Sequence, residues 1–114
     1  MKTIDKYISK GKTIKVKMNK NEIEKFDYNE IYVFYDGDEV VYIGSAYKQT
    51  VAERLRQYLN NSSGTQRVRK KIRGQGKKIT DFEVLVIPYI DLEYLLIKEE
   101  NPRYNKNGRQ TISL

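Results

Sequence analysis

Apolar residues cluster and alternate along the chain in runs that predict a small sheet interleaved with helices. The clearest runs are Ile31 to Asp36 (IYVFYD) and Val40 to Ile43 (VVYI), with the turn signal Asp36-Gly37-Asp38 between them. This pattern predicts a β-hairpin. A three-residue loop would set Tyr32 opposite Tyr42, with both rings on one face. A two-residue loop would slip the register by one and separate them. Phe82 to Ile87 (FEVLVI) is mostly apolar on both faces and predicts a third strand, closed by Pro88. Thr13 to Met18 (TIKVKM) alternates like a half-buried strand, and Asn21-Glu22-Ile23-Glu24 has the form of a short helix start.

Helical periodicity follows the hairpin. Thr50 and Glu53 form a T-x-x-E capping box, and a helix to about Asn60 would bury Val51, Leu55, Tyr58 and Leu59. The run from Asn60 to Gly64 stops it. Thr65 is placed to cap a second helix whose apolar seam is only Val68 and Ile72, ended by Gly74 and Gly76. Asp91 is placed to cap a last helix, Leu92 to about Glu100, with Leu92, Leu95 and Leu96 on its apolar stripe. Pro102 ends it, because the residue before a proline avoids the helical region. The polar tail 106–114 is expected to be mobile.

A chain of 114 residues without an obvious linker reads as one domain: a core over 30–105, an N-terminal extension over 1–29 packed on it, and the tail 106–114. Cysteine and histidine are absent. That excludes disulfides, thiolate metal sites, cysteine nucleophiles, serine–histidine–aspartate chemistry and histidine bases. No stretch approaches the ~20 apolar residues of a membrane span. The N-terminal MKTIDKYISKGK lacks the apolar run of a secretory signal, so the expected compartment is the cytoplasm. The net charge of +7 is unevenly spread: residues 61–80 hold seven basic residues and no acid. An uninterrupted basic block is the footprint of a polyanion partner, with a merely solvated helix as the plainer reading.

Three separated pieces carry candidate chemistry: Glu30-Ile31-Tyr32 with Tyr42-Ile43-Gly44 on the hairpin; Arg54 with Tyr58 one helical turn later; and Glu93, with Asn105 twelve residues on in Asn101-Pro102-Arg103-Tyr104-Asn105. Taken in this order, the segment Glu30 to Asn105 resembles the GIY-YIG nuclease family. The YIG tripeptide, the helix bearing Arg54, the segment Glu93-Tyr94-Leu95-Leu96-Ile97-Lys98 and the following Pro102-Arg103-Tyr104-Asn105 carry the resemblance. It extends to small phage enzymes of the endonuclease II type, which are single compact domains. Three features depart from the pattern, one of them the interval from Tyr42 to Arg54, which is two residues longer than the pattern leads one to expect. The first glycine of the motif is Glu30, and the basic residue that often follows YIG is Ser45, with Lys48 as its substitute.

The resemblance implies an α/β fold of the α+β kind: a GIY-YIG-like domain with a small three-stranded antiparallel sheet flanked by helices. It also implies a metal-dependent DNA endonuclease using Mg²⁺ (or Mn²⁺), with Tyr32, Tyr42, Arg54, Tyr58, Glu93 and Asn105 in the site. Phosphodiester hydrolysis needs an oriented water, a proton acceptor, charge neutralisation on the phosphoryl oxygens and help for the leaving oxygen. Glu93 offers a hard oxygen ligand, and Mg²⁺ commonly takes only one or two carboxylates, so one suffices; otherwise Glu93 is an ordinary first-turn acid favoured by the helix dipole. Arg54 can pair with a phosphate oxygen, or be a surface arginine, or bridge to Glu53 or Glu93.

Tyr32 or Tyr42 is the candidate base, Tyr32 being favoured, although several of the ten tyrosines must simply be packing residues. Tyr58 positions Arg54 or the water, or is core; Asn105 bonds backbone or orients the site. Gly44 lets the chain turn out of the sheet or lets substrate approach the backbone. Lys48, Arg56, Arg67, Arg69, Lys70, Lys71, Arg73, Lys77 and Lys78 would hold phosphates along double-stranded DNA, setting affinity and register without reading sequence. Double-strand cleavage would need two protomers, as in a homo-oligomer, or sequential nicking. The alternatives are a non-cleaving nucleic-acid-binding module that keeps the fold, and an interaction protein whose basic helix binds an acidic partner.

Overall fold

The computed structural model describes residues 2–9, 15–27, 30–88 and 92–105. The elements run α1 (Thr3–Ser9), β1 (Val16–Lys17), α2 (Lys20–Ile23), β2 (Ile31–Asp36), β3 (Glu39–Ser45), α3 (Val51–Leu59), α4 (Gln66–Gly74), β4 (Glu83–Ile87) and α5 (Glu93–Glu100). The strands form one antiparallel sheet in the order β1-β4-β2-β3. The sheet therefore has four strands rather than the three expected. The extra strand comes from the basic, alternating run near the N-terminus: Val16 pairs with Val84, and Lys17 with Glu83. Asp91 and the tail 106–114, as well as Thr13 and Ile14 of that run, lie outside the described residues.

The hairpin register departs from the sequence expectation in a useful way. The loop has two residues, because Asp36 pairs with Glu39. That alone would send Tyr32 and Tyr42 to opposite faces. A β-bulge intervenes: Tyr35 pairs with Val40 but Phe34 pairs with Tyr42, leaving Val41 as the extra residue. The bulge slips the register back by one, so the two rings share a face after all, with centroids 6.1 Å apart. The cross-strand neighbour of Tyr32 is Gly44, not Tyr42.

The two faces of the sheet have different cores. One joins Tyr32, Phe34, Val84 and Val86 to Val51, Leu55 and Tyr58 of α3 and to Val68 and Ile72 of α4. The other joins Ile31, Val33, Tyr35, Ile43, Leu85 and Ile87 to Ile4 of α1 and Leu96 of α5. Thr50 caps α3 as expected, its hydroxyl accepting from the Glu53 N–H at 3.1 Å. Three local expectations are corrected. The cap of α2 is Asn19, two residues before the expected start. Thr65 does not cap α4: it is buried, and its hydroxyl donates to the Ser62 carbonyl (2.8 Å) and accepts from Arg69 Nε (2.7 Å). On α5, Leu95 is 41% exposed, and Ile97 joins Leu92 and Leu96 on the buried side. The helix sits over the sheet rotated away from the stripe that its leucines alone suggest.

Candidate active site

The site is assembled at the end of the hairpin where β2 begins and β3 finishes. Tyr32 projects from β2 toward α3, whose Arg54 and Tyr58 both reach its hydroxyl, and its ring lies across Gly44. A Cβ added at Gly44 would stand 2.5 Å from Cζ and Oη of Tyr32. Gly44 is therefore a glycine because an aromatic ring covers it, not because the chain turns out of the sheet there; β3 continues to Ser45.

Around Tyr32 three of the other predicted residues converge, Tyr42, Arg54 and Tyr58. Its hydroxyl lies 3.2 Å from the Tyr58 hydroxyl. Arg54 donates from Nε to Tyr32 Oη at 3.4 Å. The Tyr42 ring is 6.5 Å from that of Tyr58, edge-on. One turn of helix separates Arg54 from Tyr58, and the guanidinium carbon stands 5.5 Å over the Tyr58 ring. Arg54 is fixed at its other nitrogens as well: Nη1 donates to Gln57 Oε1 (2.9 Å) and Nη2 to the Gly64 carbonyl (3.1 Å). Both ion-pair alternatives for it, Glu53 and Glu93, are unused. Gln57 and Gly64 were not among the predicted site residues. Gln57 shares a helix face with Arg54, a spacing that could have signalled it; the Gly64 carbonyl had no sequence signal.

Electrostatics separate the three hydroxyls. Burial pushes the Tyr42 and Tyr58 phenols well above their ordinary range, and the neighbouring Tyr32 adds to both shifts. Both stay protonated at neutral pH. For Arg54, burial is the largest single influence and works against the charge, but the bond to Tyr32 and the surrounding Tyr32, Tyr58 and Tyr42 together outweigh it, and the net shift is upward. A guanidinium N–H aimed at Tyr32 Oη is placed to stabilise negative charge on that one oxygen.

Glu93 and Asn105 reach the site from β3, the edge strand, rather than from the aromatic cluster. Strand alternation puts Ser45, the partner of Ile31, on the α5 side of the sheet, and its hydroxyl donates to Glu93 Oε1 at 2.9 Å. The Glu93 charge is felt across the edge strand, where it contributes to raising Tyr42. Asn105 brackets the Ile43 peptide: Oδ1 accepts from Ile43 N (2.8 Å) and Nδ2 donates to Ile43 O (2.7 Å). With the Tyr104 N–H bonded to the Val41 carbonyl at 2.9 Å, this segment lines the free edge of β3 and holds Tyr42 between two anchored neighbours.

A divalent cation fits this donor set. Glu93 is a hard carboxylate whose Oε2 has no hydrogen-bond partner among the described residues. Those residues contain no group of three or more acids able to hold a metal alone, so a bound ion would complete its shell with water and substrate oxygens.

The basic residues divide. Arg67 and Lys71 border a cavity of about 180 Å³ together with Tyr42 and Asn105, and Lys71 also donates to the Tyr104 carbonyl at 3.2 Å. Burial and the neighbouring Arg67 lower the pKa of Lys71. Lys70 and Arg73 are exposed on α4, and Lys78 is exposed just beyond it. Three others are engaged within the fold: Arg56 with Glu24 (2.7 Å), Lys77 with Asp36 (2.9 Å), and Arg69 with Thr65, Asn61 and Ser62. Lys48 adopts a left-handed backbone and lies 5.5 Å from the Tyr47 ring. The Glu30 departure leaves the strand intact: its carbonyl accepts from the Ala46 N–H at 2.9 Å, and its backbone has no positive φ that would demand glycine. No helix among the described residues is long and apolar enough to cross a membrane.

Known proteins resemble the chain over this same region. A family model described as the UvrC-like GIY-YIG domain matches residues 29–106. A curated relative, UvrABC system protein C of Caldicellulosiruptor saccharolyticus, is 38% identical over 80 residues, which is 66% of this chain and 12% of the relative. The chain thus spans about an eighth of that relative's length. Among solved structures, the GIY-YIG N-terminal endonuclease domain of UvrC from Thermotoga maritima bound to magnesium, its catalytic divalent cation, superposes with a TM-score of 0.52. It is 28% identical, covering 74% of this chain and 91% of that one. A cation-bound point mutant of the same domain superposes equally well, at 27% identity over 75% of this chain.

Proposed function

The chain belongs to the GIY-YIG family as a UvrC-like nuclease domain, and on that premise we propose that it is a divalent-cation-dependent DNA endonuclease. The observation that carries the reading is the bonded set Arg54 Nε, Tyr32 Oη and Tyr58 Oη, with the Ser45–Glu93 pair across the edge strand from it. Residues 30–105 form the catalytic domain, with 1–29 as an extension.

Water attacks the scissile phosphorus as the bond to the leaving sugar oxygen breaks, and Tyr32 Oη, acting as the phenolate, takes the proton of the water. Tyr58, kept protonated by burial, serves as a hydrogen-bond donor to that oxygen. Arg54, oriented by Gln57 and the Gly64 carbonyl, neutralises charge building on a non-bridging phosphate oxygen. Asn105 acts through the backbone, fixing the strand that presents Tyr42. Glu93 would hold Mg²⁺, which when bound supplies charge neutralisation and stabilises the leaving oxygen. Arg67, Lys70, Lys71 and Arg73 hold phosphates of duplex DNA along α4. One site per chain cuts one strand at a time, so double-strand breaks require two protomers or two successive events.

The test is plasmid cleavage with Mg²⁺ or with EDTA, beside Glu93→Ala. Cleavage lost on chelation and in the variant supports the reading. A gel shift without cleavage means that the domain is a non-catalytic binder, and no DNA affinity at low salt means that the basic face serves an acidic protein partner.

A further inference from the structure

We propose that Ser45 is the positioning residue for the metal-ligating carboxylate in this protein. The inference rests on the reading of Glu93 as that ligand. At Ser45 the chain departs from the family pattern, in which a basic residue often follows the YIG tripeptide, and this departure alone would suggest a damaged site.

The geometry indicates a working substitute. Ser45 is the last residue of β3, and its Oγ donates to Glu93 Oε1 at 2.9 Å across 48 residues of chain. This bond spans from sheet to helix, between the end of an edge strand and the first turn of α5. It occupies one carboxylate oxygen and leaves Oε2 without a partner among the described residues, so that Oε2 would be the oxygen offered to a cation.

Strand alternation explains how the hydroxyl arrives there. Gly44 must face the aromatic cluster, because the Tyr32 ring lies over it. The next residue must then face α5. The close approach that demands a glycine at 44 thus places residue 45 opposite the acid. A neutral hydroxyl orients the carboxylate without cancelling its charge, so the full negative charge remains for the cation. A lysine in its place would bring an ammonium that competes for the same oxygens. Outer-shell donors of this kind typically contribute about 10–100-fold to metal affinity.

The experiment is Mn²⁺ binding to the full chain without DNA, read by the loss of the free-ion electron paramagnetic resonance signal. It uses wild type, Ser45→Ala, Ser45→Thr and Glu93→Ala, with amide NMR spectra and melting curves alongside. The expected result is affinity about tenfold weaker in Ser45→Ala, restored to within about twofold by Ser45→Thr, with native spectra in both. Unchanged affinity in Ser45→Ala, when Glu93→Ala has lost binding, overturns the role of Ser45 and leaves Glu93 as the ligand. Unchanged affinity in Glu93→Ala overturns the metal reading itself. Weakened binding that Ser45→Thr fails to restore, with a lowered melting point, makes Ser45 a residue of the fold only.

Discussion

Tyr32 and Tyr35 lie three residues apart on β2, on opposite faces of the sheet, and both are buried. Their hydroxyls differ. That of Tyr32 is bonded to Tyr58 and Arg54, within an aromatic cluster. That of Tyr35 has no hydrogen-bond partner among the described residues, while Lys15 lies 4.4 Å from its ring. The Tyr35 face is otherwise aliphatic, built from Ile31, Val33, Ile43, Leu85, Ile87 and Leu96. The aromatic face contains a network and the aliphatic face a single orphaned oxygen. Burial alone therefore does not mark a functional tyrosine. What distinguishes Tyr32 from Tyr35 is a guanidinium aimed at its oxygen.

The largest expected effect is on chemistry. Tyr32→Phe should lower plasmid cleavage on the order of 10²-fold or more, because the proton acceptor and the Arg54 partner go together. Equal loss in Tyr35→Phe would remove the distinction between the faces. Next comes packing: Gly44→Ala forces a methyl against the Tyr32 ring and should cost about 1–3 kcal/mol in urea denaturation, with cleavage impaired as Tyr32 shifts. A wild-type melting curve for this variant would mean that the ring can move aside freely.

Alkaline stability is the third measure. Tyr35, Tyr42 and Tyr58 all have phenol groups raised above their ordinary value by burial. Above pH ~10 the unfolded chain releases protons that the folded chain retains, so the folded state loses stability as pH climbs through that range and is unaffected at neutrality. Urea midpoints at successive pH values should fall less steeply above pH ~10 in Tyr35→Phe than in wild type. A parallel slope would show that Tyr35 ionises freely in the fold.

Smaller still is the phosphate footprint. Substituting Lys70 and Arg73 by Gln should reduce the salt slope of DNA binding by about 0.9 for each phosphate no longer neutralised, while Arg56→Gln and Arg69→Gln, whose cations are engaged within the fold, should change it less. Tyr35→Phe at neutral pH should change stability least, by less than ~1 kcal/mol and in the stabilising direction, since it removes an unbonded hydroxyl.

What the chain determines by itself is local. The apolar runs IYVFYD and FEVLVI, the Thr50 cap and the Val68–Ile72 seam each depend on neighbours within a few residues, and each formed where the pattern placed it. The ordered motif from Glu30 to Asn105 likewise identified the family, because residue type and spacing were sufficient. Helix α1 gave no such signal; Ile4 is its only fully buried apolar anchor among the described side chains.

Tertiary packing decided the rest. The bulge at Val41 restored a common face for Tyr32 and Tyr42 that a two-residue turn would have denied them. The Tyr32 ring, not a turn, accounts for Gly44, and the rotation of α5 exposes Leu95. Ser45 met Glu93, and Asn105 met Ile43, across dozens of residues. Those pairings depend on strand register and on the seating of one helix against a sheet edge. Such quantities are set by the sum of many distant interactions, and a short window of sequence carries no record of them.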